Sequence, residues 1–229
     1  MPTHFTNGVS NRAVGNTLYD WGYLDPTKYH TYFNDFDTII ATDWVFTTTE
    51  AGSGSATEAI QDEAGGVLKL TNDDADNDND FLQLVPETFK WSSTKEMFFC
   101  TRFKVSDATQ SDLVIGLQIR DTTPLDVTDG LFFTKADGSA SMTFSVEKNN
   151  TATSTTVGTL VSDTYVRVGF FYNPLDYKFH IFLNDVEVAS SVNTNAVDDE
   201  ELTVSIGLQN GEAVAKTMSV DYILVSQER

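Results

Sequence analysis

From Thr31 onward, apolar side chains recur at every second residue, and no apolar period of 3.6 persists for a dozen positions. Met97, Phe99, Phe103 and Val105 alternate with Phe98, Cys100, Arg102 and Lys104, and Leu113, Ile115, Leu117 and Ile119 alternate with Val114, Gly116, Gln118 and Arg120. The same spacing runs through Val166, Val168, Phe170 and Tyr172, then Tyr177, Phe179, Ile181 and Leu183. It returns in Leu202, Val204, Ile206 and Leu208, and in Val220, Tyr222 and Leu224. Successive strand side chains point to opposite faces, so each run is a strand with one buried side. Turn pairs separate the runs: Asp137-Gly138, Asn173-Pro174, Asn184-Asp185 and Asn210-Gly211. Many short strands joined by tight turns predict an all-β, antiparallel β-sandwich with very little helix.

The 229 residues suit one such sandwich, and 16 Phe, 8 Tyr and 3 Trp supply a large core. The predicted organisation is an extended N-terminal arm over residues 1–30 and a sandwich over 31–229. The arm is neutral (Arg12 and Lys28 against Asp20 and Asp25) and punctuated by turn signals, yet it carries Phe5, Tyr19, Trp21, Tyr23 and Tyr29. It reads either as a piece that docks on a partner or as a lead-in lying on its own domain.

Against 14 basic side chains stand 34 acidic ones, a formal charge of −20. Nucleic acid and anionic membrane are therefore not expected as partners, because both are bound through clustered Lys and Arg. Cys100 is the single cysteine, which excludes an intrachain disulfide framework. Residues 1–10 show neither the basic nor the apolar part of a signal peptide, and no stretch approaches a membrane span.

Three segments carry a resemblance at the level of fold: Tyr32-Phe33-Asn34-Asp35-Phe36-Asp37, the block from Tyr165 through Asn184-Asp185 to Ala189, and the closing Val220–Val225. They resemble the concanavalin A-like/laminin-G superfamily, which implies a jelly roll over about residues 31–227. Further strings, Phe5–Val9, Asp25–Phe33 and Val105–Asp112, resemble tailed-bacteriophage virion proteins. That resemblance implies a non-enzymatic capsid decoration or cement protein located in the virion. The major capsid protein would be its partner, self-association as a trimer is expected, and Phe5, Tyr19, Trp21, Tyr23 and Tyr29 would do the docking. The alternative is a carbohydrate-binding, lectin-like module or a head-fibre component contacting host glycans.

No catalytic set is expected. Glycoside hydrolysis needs two placed carboxylates, and no glutamate heads a Glu-x-Asp-x-Glu or Glu-x-Asp-x-x-Glu run. Glu200 and Glu201 are adjacent and would face opposite ways. Gln118-Ile119-Arg120 resembles the Gln-Ile-His strand of alginate lyases but lacks its histidine, and His4, His30 and His180 stand in unrelated contexts. No cofactor is expected, with Ca²⁺ the one candidate. Asp74, Asp76, Asp78 and Asp80 offer hard oxygen donors at alternating positions. An EF-hand reading fails, since Asn79 stands where glycine is needed and Val85 where the bidentate glutamate belongs. What remains is a looser calcium site or a solvated loop whose charges stay wet.

Overall fold

The computed structural model describes residues 27–51, 54–192, 196–197 and 199–229. The docking residues Phe5, Tyr19, Trp21 and Tyr23 lie outside them. The described residues form fifteen strands, β1 (Tyr29–Asn34), β2 (Trp44–Thr49), β3 (Thr57–Gln61), β4 (Val67–Thr71), β5 (Asn79–Leu84), β6 (Met97–Val105), β7 (Ser111–Gln118) and β8 (Gly130–Lys135) among them. They continue with β9 (Ser141–Lys148), β10 (Thr151–Thr159), β11 (Val166–Asn173), β12 (Lys178–Leu183), β13 (Val186–Val192), β14 (Thr203–Asn210) and β15 (Thr217–Glu228). The only helical piece among the described residues is a 3-10 turn at Ala41–Asp43.

Two antiparallel sheets result. One has seven strands in the order β10-β9-β8-β7-β14-β5-β2. The other has eight, in the order β13-β12-β11-β6-β15-β4-β3, with β1 paired to the far half of β15. The Thr-rich β10 and β2 flank the first sheet, and β13 and β3 flank the second.

The alternation read from the sequence decides what packs between the sheets. Phe99, Phe170 and Phe179 from the eight-stranded sheet meet Phe133 and Phe144 from the seven-stranded one, and all five are fully buried. Phe99 and Phe170 stack at 5.7 Å, and Phe144 lies 5.0 Å from Phe170. Offset and tilted aromatic contacts of this kind add to the area that each ring buries. The turns also match expectation, for Asn184 and Asp185 both take positive φ (50° and 66°) in the β12–β13 hairpin.

Two local departures have physical causes. The spacing Val220, Tyr222, Leu224 predicted one inward face, but the pairing with β6 slips by one residue between Val220 and Tyr222. This β-bulge flips the phase, so Ile223 and Val225 enter the core while Tyr222 and Leu224 face outward. Tyr29, expected in the docking arm, is the first residue of β1. It pairs with Glu228 and donates its hydroxyl to Glu96 Oε2 at 3.1 Å.

Asp107, inside one of the strings that carried the virion resemblance, holds a turn. Its Oδ1 accepts the Thr109 and Gln110 amides at 2.8 and 2.9 Å, and its Oδ2 accepts Lys216 Nζ at 2.9 Å. Burial would raise this carboxyl, but the Gln110 amide, Lys216 and the Thr109 amide outweigh it and bring the pKa from 3.8 to about 2. A depressed carboxyl stabilises the fold fully above its unfolded value and loses that contribution as pH falls toward 2. Acid unfolding of Asp107→Asn should therefore show a flatter stability profile between pH 4 and 2 than the parent, measured by denaturant melts at fixed pH values; identical slopes would contradict the assignment.

Candidate functional site

The outer face of the seven-stranded sheet is where the fold departs most from a plain sandwich. Strand alternation sends Phe81, Gln83, Val114, Gln118, Phe132 and Ser205 outward, yet all six are buried. The segment 119–129 covers them. Val127 packs with Phe81, Val114 and Phe132 in a small apolar cluster separate from the main core, and Ile119 leans against it. Gly207 makes this possible: a Cβ there would fall 2.4 Å from Phe81 Cδ1, so only glycine lets the ring lie across the sheet.

The polar side chains of this face are committed to the covering segment. Gln83 Nε2 donates to the Ile119 carbonyl at 3.1 Å and to Ser205 Oγ at 2.7 Å, while its Oε1 accepts the Asp121 amide at 2.9 Å. Gln118 Nε2 donates to the Pro124 carbonyl at 3.0 Å. Amides thus occupy the centre of the sheet, and an amide can neither deliver a proton as a general acid nor attack as a nucleophile. The nearest outward carboxyl with a perturbed pKa is Glu147 on β9, raised by burial and then by Asp126 and Asp129.

Beside the covering segment a groove of about 270 Å³ stays open. Its floor reaches the buried Phe81, exposed Leu125 borders it, and Thr47, Thr49, Asn79, Thr123, Asp126 and Gln209 form its polar walls. Asn79 Oδ1 accepts the Thr49 amide at 3.1 Å, and Gln209 Nε2 donates to Asn77 Oδ1 at 2.9 Å, so both amides are held in place. A second hollow of about 380 Å³ lies at the sandwich edge near His30, Tyr32, Asp43 and Thr88. Its polar groups are engaged with one another: His30 Nε2 with Thr88 Oγ1 at 3.1 Å, and Tyr32 Oη accepting from Asn34 Nδ2 at 3.1 Å. His180, expected outside the core, sits on the other sheet's outer face between Asp176 Oδ2 (2.9 Å) and Glu187 Oε1 (2.7 Å).

The acidic run divides in two. Asp74 and Asp76 are exposed, whereas Asp78 and Asp80 are fully buried. The loop between β4 and β5 is pinned rather than wet. Asn210, also fully buried, donates from Nδ2 to the Asp73 and Ala75 carbonyls at 2.7 and 2.9 Å. Asp78 Oδ1 accepts the Ala51 amide at 2.7 Å, and Oδ2 accepts the Ala75 amide at 3.0 Å. The structure brings Glu50 and Asp73 to Asp78, with one carboxylate oxygen of each within 4.8 Å of the others. Glu58 stands close to Asp80. Local spacing could not reveal Glu50 or Glu58, which come from edge strands well upstream. One signal was available: both fall on the inward phase of their strands, where a carboxylate is out of place.

Two stacked antiparallel sheets with a partly covered outer face define a concanavalin-type jelly roll. The carbohydrate recognition domain of Emp46p in its potassium-bound form superposes with a TM-score of 0.58 at 14% identity, covering 84% of this chain and 94% of that one. The endo-1,3-β-glucanase of Streptomyces sioyaensis gives 0.64 at 10% identity, over 90% and 98%. A protein of unknown function, SO2946 of Shewanella oneidensis MR-1, gives 0.60 at 18% identity, over 88% and 87%. Residues 63–223 match the SO2946-like, C-terminal domain family, and the chain belongs to that family. No curated protein matches the sequence.

If Gln83 fastens the covering segment, Gln83→Glu should lower stability by about 1–3 kcal/mol, because the Ile119 carbonyl and Ser205 hydroxyl lose their donor. Urea melts at neutral pH would check this; an unchanged midpoint would mean that the segment is held by its apolar cluster alone.

Proposed function

We propose that this protein is a non-catalytic carbohydrate-recognition module that binds a neutral glycan in the groove beside segment 119–129. The observation that carries the reading is the groove itself, a hollow of about 270 Å³ walled by hydroxyls and amides, with the exposed Leu125 side chain as its apolar surface. That is the chemistry a sugar requires, hydrogen-bond partners for its hydroxyls around an apolar surface for its C–H face. Asp126 in the wall and the net charge of −20 disfavour uronates and other anionic sugars. The size suits a short stretch of saccharide.

Support also comes from the company of the fold, which includes carbohydrate recognition domains as well as glucanases. Binding without cleavage is favoured over hydrolysis because Gln83 and Gln118, not carboxylates, hold the centre of the outer face. The position of a capsid decoration protein in a phage head is a separate proposal, carried by the virion resemblance alone, with the major capsid protein as partner and a trimer as the assembly. Deletion of residues 1–26, which spares β1, should abolish binding to empty capsids if that proposal is right, and undiminished binding would refute it.

For the glycan reading, a panel of neutral oligosaccharides should yield a binder by calorimetry. Gln209→Ala and Thr47→Val should each weaken it about five- to tenfold, the worth of one hydrogen bond, with unchanged thermal midpoints. No reducing ends should be released. Failure of every neutral glycan to bind, or turnover of any of them, would overturn the proposal.

A further inference from the structure

The inward-facing corner between β2, β3 and the β4–β5 loop gathers five carboxylates: Glu50, Glu58, Asp73, Asp78 and Asp80. None of the ion pairs among the described residues involves any of them. Crowded acids alone would mean little, since exposed ones merely repel in water. Here they are not in water. Asp80 is fully buried, and its Oδ2 has no hydrogen-bond partner. Its Oδ1 is held by Thr48 Oγ1 at 3.3 Å, and Glu58 and then Glu50 are its charged neighbours.

A second buried acceptor adds to this. Asn72 is 1% exposed and donates from Nδ2 to the Asp78 carbonyl at 2.9 Å, but its Oδ1 accepts nothing. Both Glu50 oxygens are likewise buried without a donor of normal geometry, with the Ala56 amide and the Asp78 carboxyl near, and Asp80 meets the Glu58 carboxyl in the same way. Buried carboxylate oxygens turned on one another need a shared proton, a donor or a cation between them. The backbone closes directly on the cluster, for a Cβ at Gly54 would fall 1.6 Å from Asp73 Oδ2.

We infer that this corner is a cation site in which Glu50, Asp73 and Asp78 ligate one Ca²⁺, with Asp80 and Glu58 facing it from behind. The donors are all hard oxygens, with neither His nor Cys, which disfavours zinc and copper. Carboxylates held by the β4–β5 loop and by the chain just past β2 form a loose cage that suits the longer bonds and variable geometry of Ca²⁺ better than octahedral Mg²⁺. An ion there would neutralise charges that otherwise repel across the opening between the sheets. It would bind the folded chain only, because Glu50 and the β4–β5 loop meet only in the fold, so it would stabilise the fold. Of the sequence candidates, Asp78 and Asp80 belong to this corner; exposed Asp74 and Asp76 do not. The inference stands apart from the glycan groove and does not depend on it.

The test is calorimetric titration of CaCl₂ into the chelator-treated full chain, paired with thermal unfolding in Ca²⁺ and in EDTA. One ion per chain is expected, with a midpoint about 5 °C higher at a hundredfold excess over Kd. Glu50→Gln and Asp73→Asn should each weaken binding about tenfold or more while leaving the calcium-free midpoint equal or higher, since each removes repulsion. No heat and no midpoint shift at millimolar Ca²⁺ would overturn the site. Variants that bind like the parent would overturn the ligand assignment, and an equal response to Mg²⁺ would overturn the choice of ion.

Discussion

The contact of Phe99 and Phe170 with Phe133 and Phe144 across the two sheets is the interaction on which everything else rests. It joins the centre of one sheet to the centre of the other, with Phe179 closing the cluster from β12. Because side chains alternate, committing these rings to the interior obliges every intervening residue to face outward. The outer faces are therefore consequences of the core. On the seven-stranded sheet those outward residues include Phe81, Val114 and Phe132, which could not remain in water as a patch. Segment 119–129 resolves this by folding over them, and in doing so it creates the groove at its flank.

The same logic explains why polar groups at the centre of this face are structural. Gln83 and Gln118 lie beneath backbone that has no strand to pair with, and their amides take up the Ile119 and Pro124 carbonyls. Backbone polar groups that leave a sheet and become buried need such partners. A face built this way holds a loop firmly and leaves only its margin open.

Much of the fold was legible in the sequence. Alternation identified the inward residues of β6, β7, β11, β12 and β14, and three of the four turn pairs marked hairpins, while Asn210-Gly211 carries the chain from one sheet to the other. What escaped was non-local. The bulge after Val220 changes the facing of β15 through its pairing with β6, which no reading of β15 alone can detect. The burial of Gln83 depends on a segment some forty residues downstream. Asp78 and Asp80 were visible as part of an acidic run, but their partners Glu50 and Glu58 were not, because edge strands reach them through the fold rather than along the chain. Nor could the sequence separate Asp78 from Asp76, since only the clamp from Asn210 decides which carboxylates turn inward.

If the open margin of the seven-stranded sheet recognises sugar, amide chemical shifts of the labelled protein will report it while a neutral oligosaccharide is titrated. Saturable shifts are expected at Thr47, Thr49, Asn79, Thr123 and Gln209, with the opposite sheet unmoved. Shifts confined to the edge hollow around His30 and Thr88, or to the outer face carrying His180, would contradict it.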